Sequence, residues 1–396
     1  MSRGRDLHLL VGAVGLSALG DWLALVPLAL HLEETTGSGI LVALLFVTIW
    51  SPAIVLAGPA GLLADRFDAR RVLLVVSLAE AVVAIALAFV SGTAPVLVLA
   101  ALLGAGFALS QPAEFALVPR VAGEARLVVA NGRVETARYV GFTVGPLVGG
   151  ALAAAGGMSA AMLVNAASFL VVAVVAAVVR PGSSEAPVAV EEQGRARDGI
   201  VFLLREPTLA IVMVVAFISL LFMTASAAAE VFFAKDVLEI GDIGYGVLIA
   251  SWTLGMALGA AFAAPRVPGS VLAVGALVAI VVQGAGLALP TLWLVAAFAF
   301  GGYLVGGLAH GTKNVLVRTL MHERVPQSLH GRAFAAYNAL RNGAELVALL
   351  GGGLLVVAIG ARWTLFFAGA IPLAAGVFAI AVARRRLSTQ VAFEAV

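Results

Sequence analysis

Residues 132–150 read GRVETARYVGFTVGPLVGG: Gly132, then Gly141, then Gly145 followed by Pro146, and finally Gly149 and Gly150. Gly141, Gly145 and Gly149 recur every four residues, so on a helix they align as one smooth stripe that another backbone can approach closely. Pro146 removes a backbone donor in the same segment, which predicts a bend there. A proline inside a membrane helix is tolerated where neighbouring helices or water satisfy the freed carbonyl. A bent, glycine-faced helix suits a conformational pivot; the competing reading is ordinary small-residue packing between membrane helices.

The rest of the chain is membrane-grade. Its 396 residues are 62% hydrophobic and 12% charged, with a mean hydropathy of +1.08, where a soluble domain carries about 25% charged residues. Cysteine is absent, which excludes disulfides, thiol catalysis and cysteine metal sites. The net charge of +2 is explained by arginine at membrane edges, and nucleic acid is not an expected partner. The first apolar run follows Arg3 and Arg5 but is longer than a signal-peptide core, so it reads as a retained helix.

Apolar stretches of about 20 residues, enough to cross a bilayer, fall at 7–32, 38–64, 72–91, 94–118, 128–155, 158–179, 208–234, 243–265, 269–290, 291–317, 328–359 and 362–383. This predicts an all-α membrane protein of about twelve transmembrane helices. The long polar interruption around 181–207 divides them six and six. It gives an N-terminal bundle over 1–180, a linker over 181–207, a C-terminal bundle over 208–384 and a tail over 385–396. Ile200, Leu203 and Leu204 stand at helical spacing in the linker, which predicts an interfacial helix there.

Starting the N-terminus inside puts Arg3, Arg5, Arg66, Arg70, Arg71, Arg120, Arg126, the linker, Arg266, Arg318, Arg324 and Arg384 to Arg386 on one side, with only Lys235 and Arg362 in loops opposite. The positive-inside rule then places both termini and the linker in the cytoplasm, in a multi-pass protein of the cytoplasmic membrane. The halves also echo each other. Asn131-Gly132-Arg133 precedes His330-Gly331-Arg332 by 199 residues (332 minus 133), and the same shift carries Glu114 to Lys313 and Arg138 to Tyr337.

Between the second and third spans stands Gly61-Leu62-Leu63-Ala64-Asp65-Arg66-Phe67-Asp68-Ala69-Arg70-Arg71. This segment resembles the loop signature of the major facilitator transporters, commonly G-x-L-A-D-R-x-G-R-R. Asp68 stands where the family has glycine and Ala69 where it has the first arginine of the pair. The 132–150 series resembles the fifth-helix signature of the antiporter branches of that family. The resemblance implies two pseudo-symmetric six-helix bundles, and the drug/proton antiporters are the most similar branch. Chemically, a carboxylate at a cytoplasmic helix end is favourable beside an arginine or a helix N-terminus. The repeat makes Arg332 the expected partner of Asp65, with Gly61 allowing close approach, as a latch between the halves; the alternative is that these are solvated charges that set topology.

Ionisable groups inside spans are costly and by default face a cavity or a partner. The resemblance implies that the first, fourth, seventh and tenth spans line the central cavity, which selects Asp21, Glu114, Glu230, His310 and Lys313. Asp21, mid-span in Gly20-Asp21-Trp22, is the leading proton-coupling candidate and Glu114, after Gln111-Pro112-Ala113, the second. The Gly-Asp-Trp setting is similar to the first helix of the macrolide-efflux and siderophore-exporter branch. The competing readings are a neutral Asp21 hydrogen-bonded to a neighbouring helix and a Glu114 that pairs with Arg138 or Lys313. Trp22, Gln111, Glu230, Trp252, Tyr303, His310 and Lys313 are the expected cavity-wall residues. Glu135 with Arg138 and Arg341 with Glu345 read as pairs within their helices, Glu230 as close to the outer end, and Gly255-x3-Gly259 as the face that receives the stripe of the fifth span.

Gly306-x4-Gly311-Thr312-Lys313 misses a phosphate loop by one place, and there is no G-x-S-x-G, no H-E-x-x-H and no zinc spacing among the five histidines. No metal, cofactor or enzyme activity is expected. The reading is a monomeric secondary transporter in the lipid bilayer, with a small-molecule substrate and protons as partners. The resemblance implies export of amphiphilic or hydrophobic compounds by rocker-switch alternating access, with a metabolite, siderophore or lysophospholipid carrier of the same fold as the alternative.

Overall fold

The computed structural model describes residues 2–56, 67–122, 127–179, 196–326 and 330–394. Among these there is no strand, and the backbone satisfies its own hydrogen bonds inside helices, the solution lipid imposes. The first helices are α1 (Ser2–Thr36), α2 (Gly39–Val55), α3 (Ala69–Phe89) and α4 (Thr93–Ala122). The stretch Leu127–Val178 breaks at Gly157, whose φ of 65° suits glycine, into α5 (127–156) and α6 (158–178). A short amphipathic helix, α7 (Ala196–Arg205), follows, then α8 (Pro207–Phe232), α9 (Gly241–Leu258), α10 (Leu272–Ala288) and α11 (Ala296–Arg324). The stretch His330–Glu394 breaks in turn at Gly360 (φ 78°) into α12 (330–359) and α13 (361–394).

Eight helical stretches are long and apolar enough to cross a membrane, and two of them, Gly132–Val178 and Leu340–Val382, contain the glycine breaks. Counting those twice and adding α2 and α11 gives twelve crossing segments among the described residues. The helix α11 is less apolar because His310, Thr312, Lys313 and Asn314 lie in its middle. The predicted span boundaries hold at both glycine breaks. Helix α11, however, starts at Ala296 and runs to Arg324, later than the expected 291–317.

By internal contacts the chain divides into two compact units, Met1–Ala189 with Glu239–Ala250, and Val190–Leu238 with Ser251–Val396. The first has a core built on Leu10, Ala13, Val14, Leu73, Leu117, Val118, Val121 and Val134. The second has one built on Leu209, Val212, Met213, Leu272, Leu316, Val317, Leu320 and Ala333. Each residue of the first set lies 199 positions before its counterpart in the second, the shift already visible between Arg133 and Arg332. The same packing positions are therefore used twice, as parallel repeats require.

Helix faces sort by solvent as they do in lipid. On α3 the residues Val75, Leu78, Val82, Ile85 and Phe89 point outward, while Val72, Leu73, Val76, Glu80 and Ala84 point inward. At its start Asp68 caps the helix, its carboxylate accepting from the Arg70 N–H at 2.8 Å.

Candidate functional site

The glycine series does its packing against α1. A Cβ placed on Gly141 would lie 2.6 Å from the Gly15 carbonyl oxygen, one on Gly145 would lie 2.7 Å from the Leu19 oxygen, and one on Gly149 would lie 2.5 Å from the Leu23 oxygen. The α1 and α5 backbones are thus in direct contact along three turns, and Asp21 is carried on the helix they clamp. The neighbouring face of α5 meets the first half of α9, which belongs to the same unit. A Cβ on Gly150 would lie 2.7 Å from the Asp242 oxygen and one on Gly246 would lie 2.5 Å from the Pro146 oxygen. The expected pairing of the stripe with Gly255 and Gly259 is corrected: those two glycines face the Leu304 and Leu308 carbonyls of α11. The spacing identified two close-packing faces and could not say which helix each one meets. Gly132 has nothing within 4 Å of a Cβ, so it takes no part in the seam.

Asp21 from α1, Gln111 and Glu114 from α4 and Arg138 from α5 line one small cavity of about 10 Å3, with Ser17, Ser110, Phe107 and Phe142 on its walls. That is room for about one water. Glu114 is buried and its carboxylate sits 3.2 Å from Arg138 Nη2. The expected Glu135–Arg138 reading is therefore corrected in part, because Arg138 reaches across to α4 while Glu135 is exposed. Glu80 of α3 is buried beside them, its Oε1 2.6 Å from where a Gly106 Cβ would stand. The charges of Asp21, Glu80 and Glu114 act on one another. Three carboxyls thus share one neighbourhood with one guanidinium.

The second unit holds a larger cavity, about 120 Å3, lined by His310, Lys313 and Asn314 of α11, Tyr337, Arg341 and Glu345 of α12, and an apolar wall that includes Met213, Phe217 and Leu220. His310 is the hub. Its Nε2 lies 3.0 Å from Asn314 Nδ2, and its Nδ1 lies 3.2 Å from Gln283 Oε1 and 3.2 Å from Lys313 Nζ. Trp252 packs on the ring at 5.6 Å between centroids, and Tyr303 packs behind Trp252 at 6.0 Å. Arg341 Nε donates to Glu345 at 2.9 Å, the within-helix pair the spacing predicts.

The two cavities are in register. Adding 199 to Val14, Ser17, Ala18, Asp21, Gln111, Glu114, Arg138 and Phe142 gives Met213, Ala216, Phe217, Leu220, His310, Lys313, Tyr337 and Arg341, all of which line the second cavity. The architecture is repeated and the chemistry is inverted, acids in the first unit standing where the second carries bases or apolar groups.

The family model for the Major Facilitator Superfamily matches residues 10–349. The chain belongs to this superfamily. It is 28% identical over 422 residues to the uncharacterized MFS-type transporter YfiS of Bacillus subtilis (strain 168), covering 98% of this chain and 96% of that protein. Among solved structures it is similar to a bacterial homolog of the human lysosomal transporter Spinster (TM-score 0.74, 15% identity, 98% of both chains covered). It is also similar to the nucleoside transporter NupG (TM-score 0.72, 14% identity, 96% of this chain and 99% of that one). At these identities the structures show the fold alone. The protein is a multi-pass membrane transporter of the major facilitator type, which takes small-molecule substrates.

The remaining site residues sort plainly within that fold. Of the major facilitator loop signature, Gly61, Asp65 and Arg66 lie outside the described residues, as does the side chain of Arg332. Arg70 is used structurally: its Nε donates to the Ala176 oxygen at 2.7 Å and its Nη2 to the Ala177 oxygen, capping the end of α6. Asp68, which departs from the signature, is the cap of α3. Arg71 is exposed. Trp22 packs on Phe142 at 5.5 Å and lines neither cavity; nor do Trp252, Tyr303 and Glu230, the last hydrogen-bonded to Ser226 one turn away. Sequence reasoning did not single out Gln283 and Asn314 and did not assign Glu80 to the acid group. A lone polar residue in the apolar run of α10 was the available signal for Gln283.

Proposed function

We propose that this protein is a proton-coupled exporter of amphiphilic or hydrophobic small molecules, working by alternating access with Asp21 and Glu114 as its proton-carrying groups. The observation that carries the reading is the shared cavity of Asp21, Glu114 and Arg138 with Glu80 beside it. Charge balance is the argument. Ionised together, three carboxyls against one guanidinium would leave two negative charges in low dielectric, where each uncompensated charge costs several kcal/mol. Protons are the counter-ions that fit a space of about one water. Proton occupancy there is sensed by α1 through the glycine seam, since Asp21 lies between the Leu19 and Leu23 contacts. That gives a route from protonation to helix movement.

The arginine distribution supports a cytoplasmic membrane location with both termini inside. In this reading a proton gradient drives the cycle. The test is proton release from acid-loaded inverted vesicles on addition of cationic, anionic, macrolide and other lipophilic compounds. Release that disappears in Asp21→Asn supports the reading; release that survives in both Asp21→Asn and Glu114→Gln contradicts it.

A further inference from the structure

The second cavity holds a buried base that the proton-linked reading does not use. Lys313 is 3% exposed in the middle of a membrane helix, where an ammonium is costly without a counter-charge. In the first unit the equivalent charge, Glu114, is answered by Arg138. At the register position of Arg138 the second unit has Tyr337, a neutral phenol. Among the described residues lining this cavity Glu345 is the one acid, and it is engaged by Arg341 at 2.9 Å.

The hydrogen-bond network sharpens the point. Assigning the imidazole tautomer from its neighbours, Asn314 Nδ2–H donates to Nε2, so the ring hydrogen sits on Nδ1 and is donated to Gln283 Oε1. In that tautomer Nδ1 offers no lone pair to Lys313 Nζ, 3.2 Å away. Lys313 lines the cavity of about 120 Å3 together with the apolar side chains of Met213, Phe217, Leu220, Met223 and Leu340.

We infer that this cavity binds an anionic amphiphile, its carboxylate, sulfonate or phosphate head held by Lys313 with Arg341 beside it and its apolar body laid on the Met213–Phe217–Leu220–Met223 wall. A few convergent polar groups in a largely apolar pocket are the ordinary make-up of a small-molecule site, and a charge-assisted hydrogen bond in a desolvated pocket discriminates by head-group charge. The inference rests on the transporter reading and names its substrate class. Its test is binding, with no proton movement involved, so it can fail while coupling stands, and the reverse.

The probes are 8-anilinonaphthalene-1-sulfonate and N-phenyl-1-naphthylamine, the same aromatic body with and without the sulfonate. They are titrated by fluorescence into full-length protein in phosphatidylcholine nanodiscs, with empty discs subtracted. The sulfonate is expected to bind at least about tenfold more tightly than the neutral probe, a preference that Lys313→Met removes and Lys313→Arg keeps, with the neutral probe within about twofold throughout. Equal affinities in the wild-type protein, or a preference that survives Lys313→Met, would overturn the inference. If Lys313→Met binds neither probe, Lys313→Gln takes its place under the same criteria. Repeating the titration with phosphatidylglycerol in the discs identifies the source of the anion: competition assigns the head group to a lipid, and undiminished binding assigns it to a solute. Both outcomes sustain an anion site.

Discussion

Replacing Gly145 by alanine tests the seam that carries Asp21. The new Cβ would stand 2.7 Å from the Leu19 oxygen, 2.9 Å from the Trp22 Cβ and 3.0 Å from the Leu23 nitrogen, all rigid parts of α1 with no flexible tip to swing away. Ordinary carbon contacts in a packed interior need about 3.5 Å or more, so α1 must retreat by roughly half an ångström or more. Overpacking of this kind costs about 1–3 kcal/mol, while alanine in place of glycine within a helix returns about 0.5–1 kcal/mol. The net is a loss of up to about 2.5 kcal/mol, read as a fall of up to several degrees in the melting temperature of the detergent-solubilised protein. Gly132→Ala is the matched control: nothing lies within 4 Å of its Cβ, so it should be neutral or slightly stabilising. Compound-driven proton release should drop in Gly145→Ala and persist in Gly132→Ala. Equal stability and equal transport in the two variants would refute the seam.

Other perturbations follow from the same geometry. Arg138→Met strands a buried Glu114 and should cost about 3–5 kcal/mol; adding Glu114→Gln should recover more than about 1 kcal/mol of it, and strict additivity in the double-mutant cycle would remove the ion pair from the account. Asp68→Ala deletes the cap of α3 and should cost about 1 kcal/mol, with Asp68→Ser close to wild type in the same thermal assay. Arg70→Gln frees the Ala176 and Ala177 carbonyls at the end of α6 and should destabilise by about 1 kcal/mol; a neutral result would show that the cap is not used.

Much of this fold was legible because lipid leaves few alternatives: a polar backbone must close its bonds within the segment, so apolar runs of the right length become helices. The expected span boundaries between 155 and 158 and between 359 and 362 coincide with Gly157 and Gly360, each of which takes a positive φ where a helix ends. The 199-residue shift was visible in a few polar residues, and the structure extends it through both cores and both cavities. The partners of small-residue faces were not legible. A stripe such as Gly141–Gly145–Gly149 says that a backbone approaches, and only the tertiary arrangement says that it is α1. The pairing of Glu114 with Arg138 was one of two partners the sequence offered it, and only the tertiary arrangement selects it over Lys313 and over the within-helix neighbour Glu135. Gln283 was not legible because a single amide in an apolar run looks the same whether it packs or serves a site, and Asn314 because it adds no spacing signal beside His310, Thr312 and Lys313.

The most direct test of the central claim is compound-driven proton release in acid-loaded inverted vesicles, comparing wild type with Asp21→Asn at matched amounts of folded protein. The account predicts release in the wild type that Asp21→Asn abolishes, with Glu114→Gln reducing it. Release that is unchanged in both variants would contradict the assignment of the first cavity as the proton-coupling site.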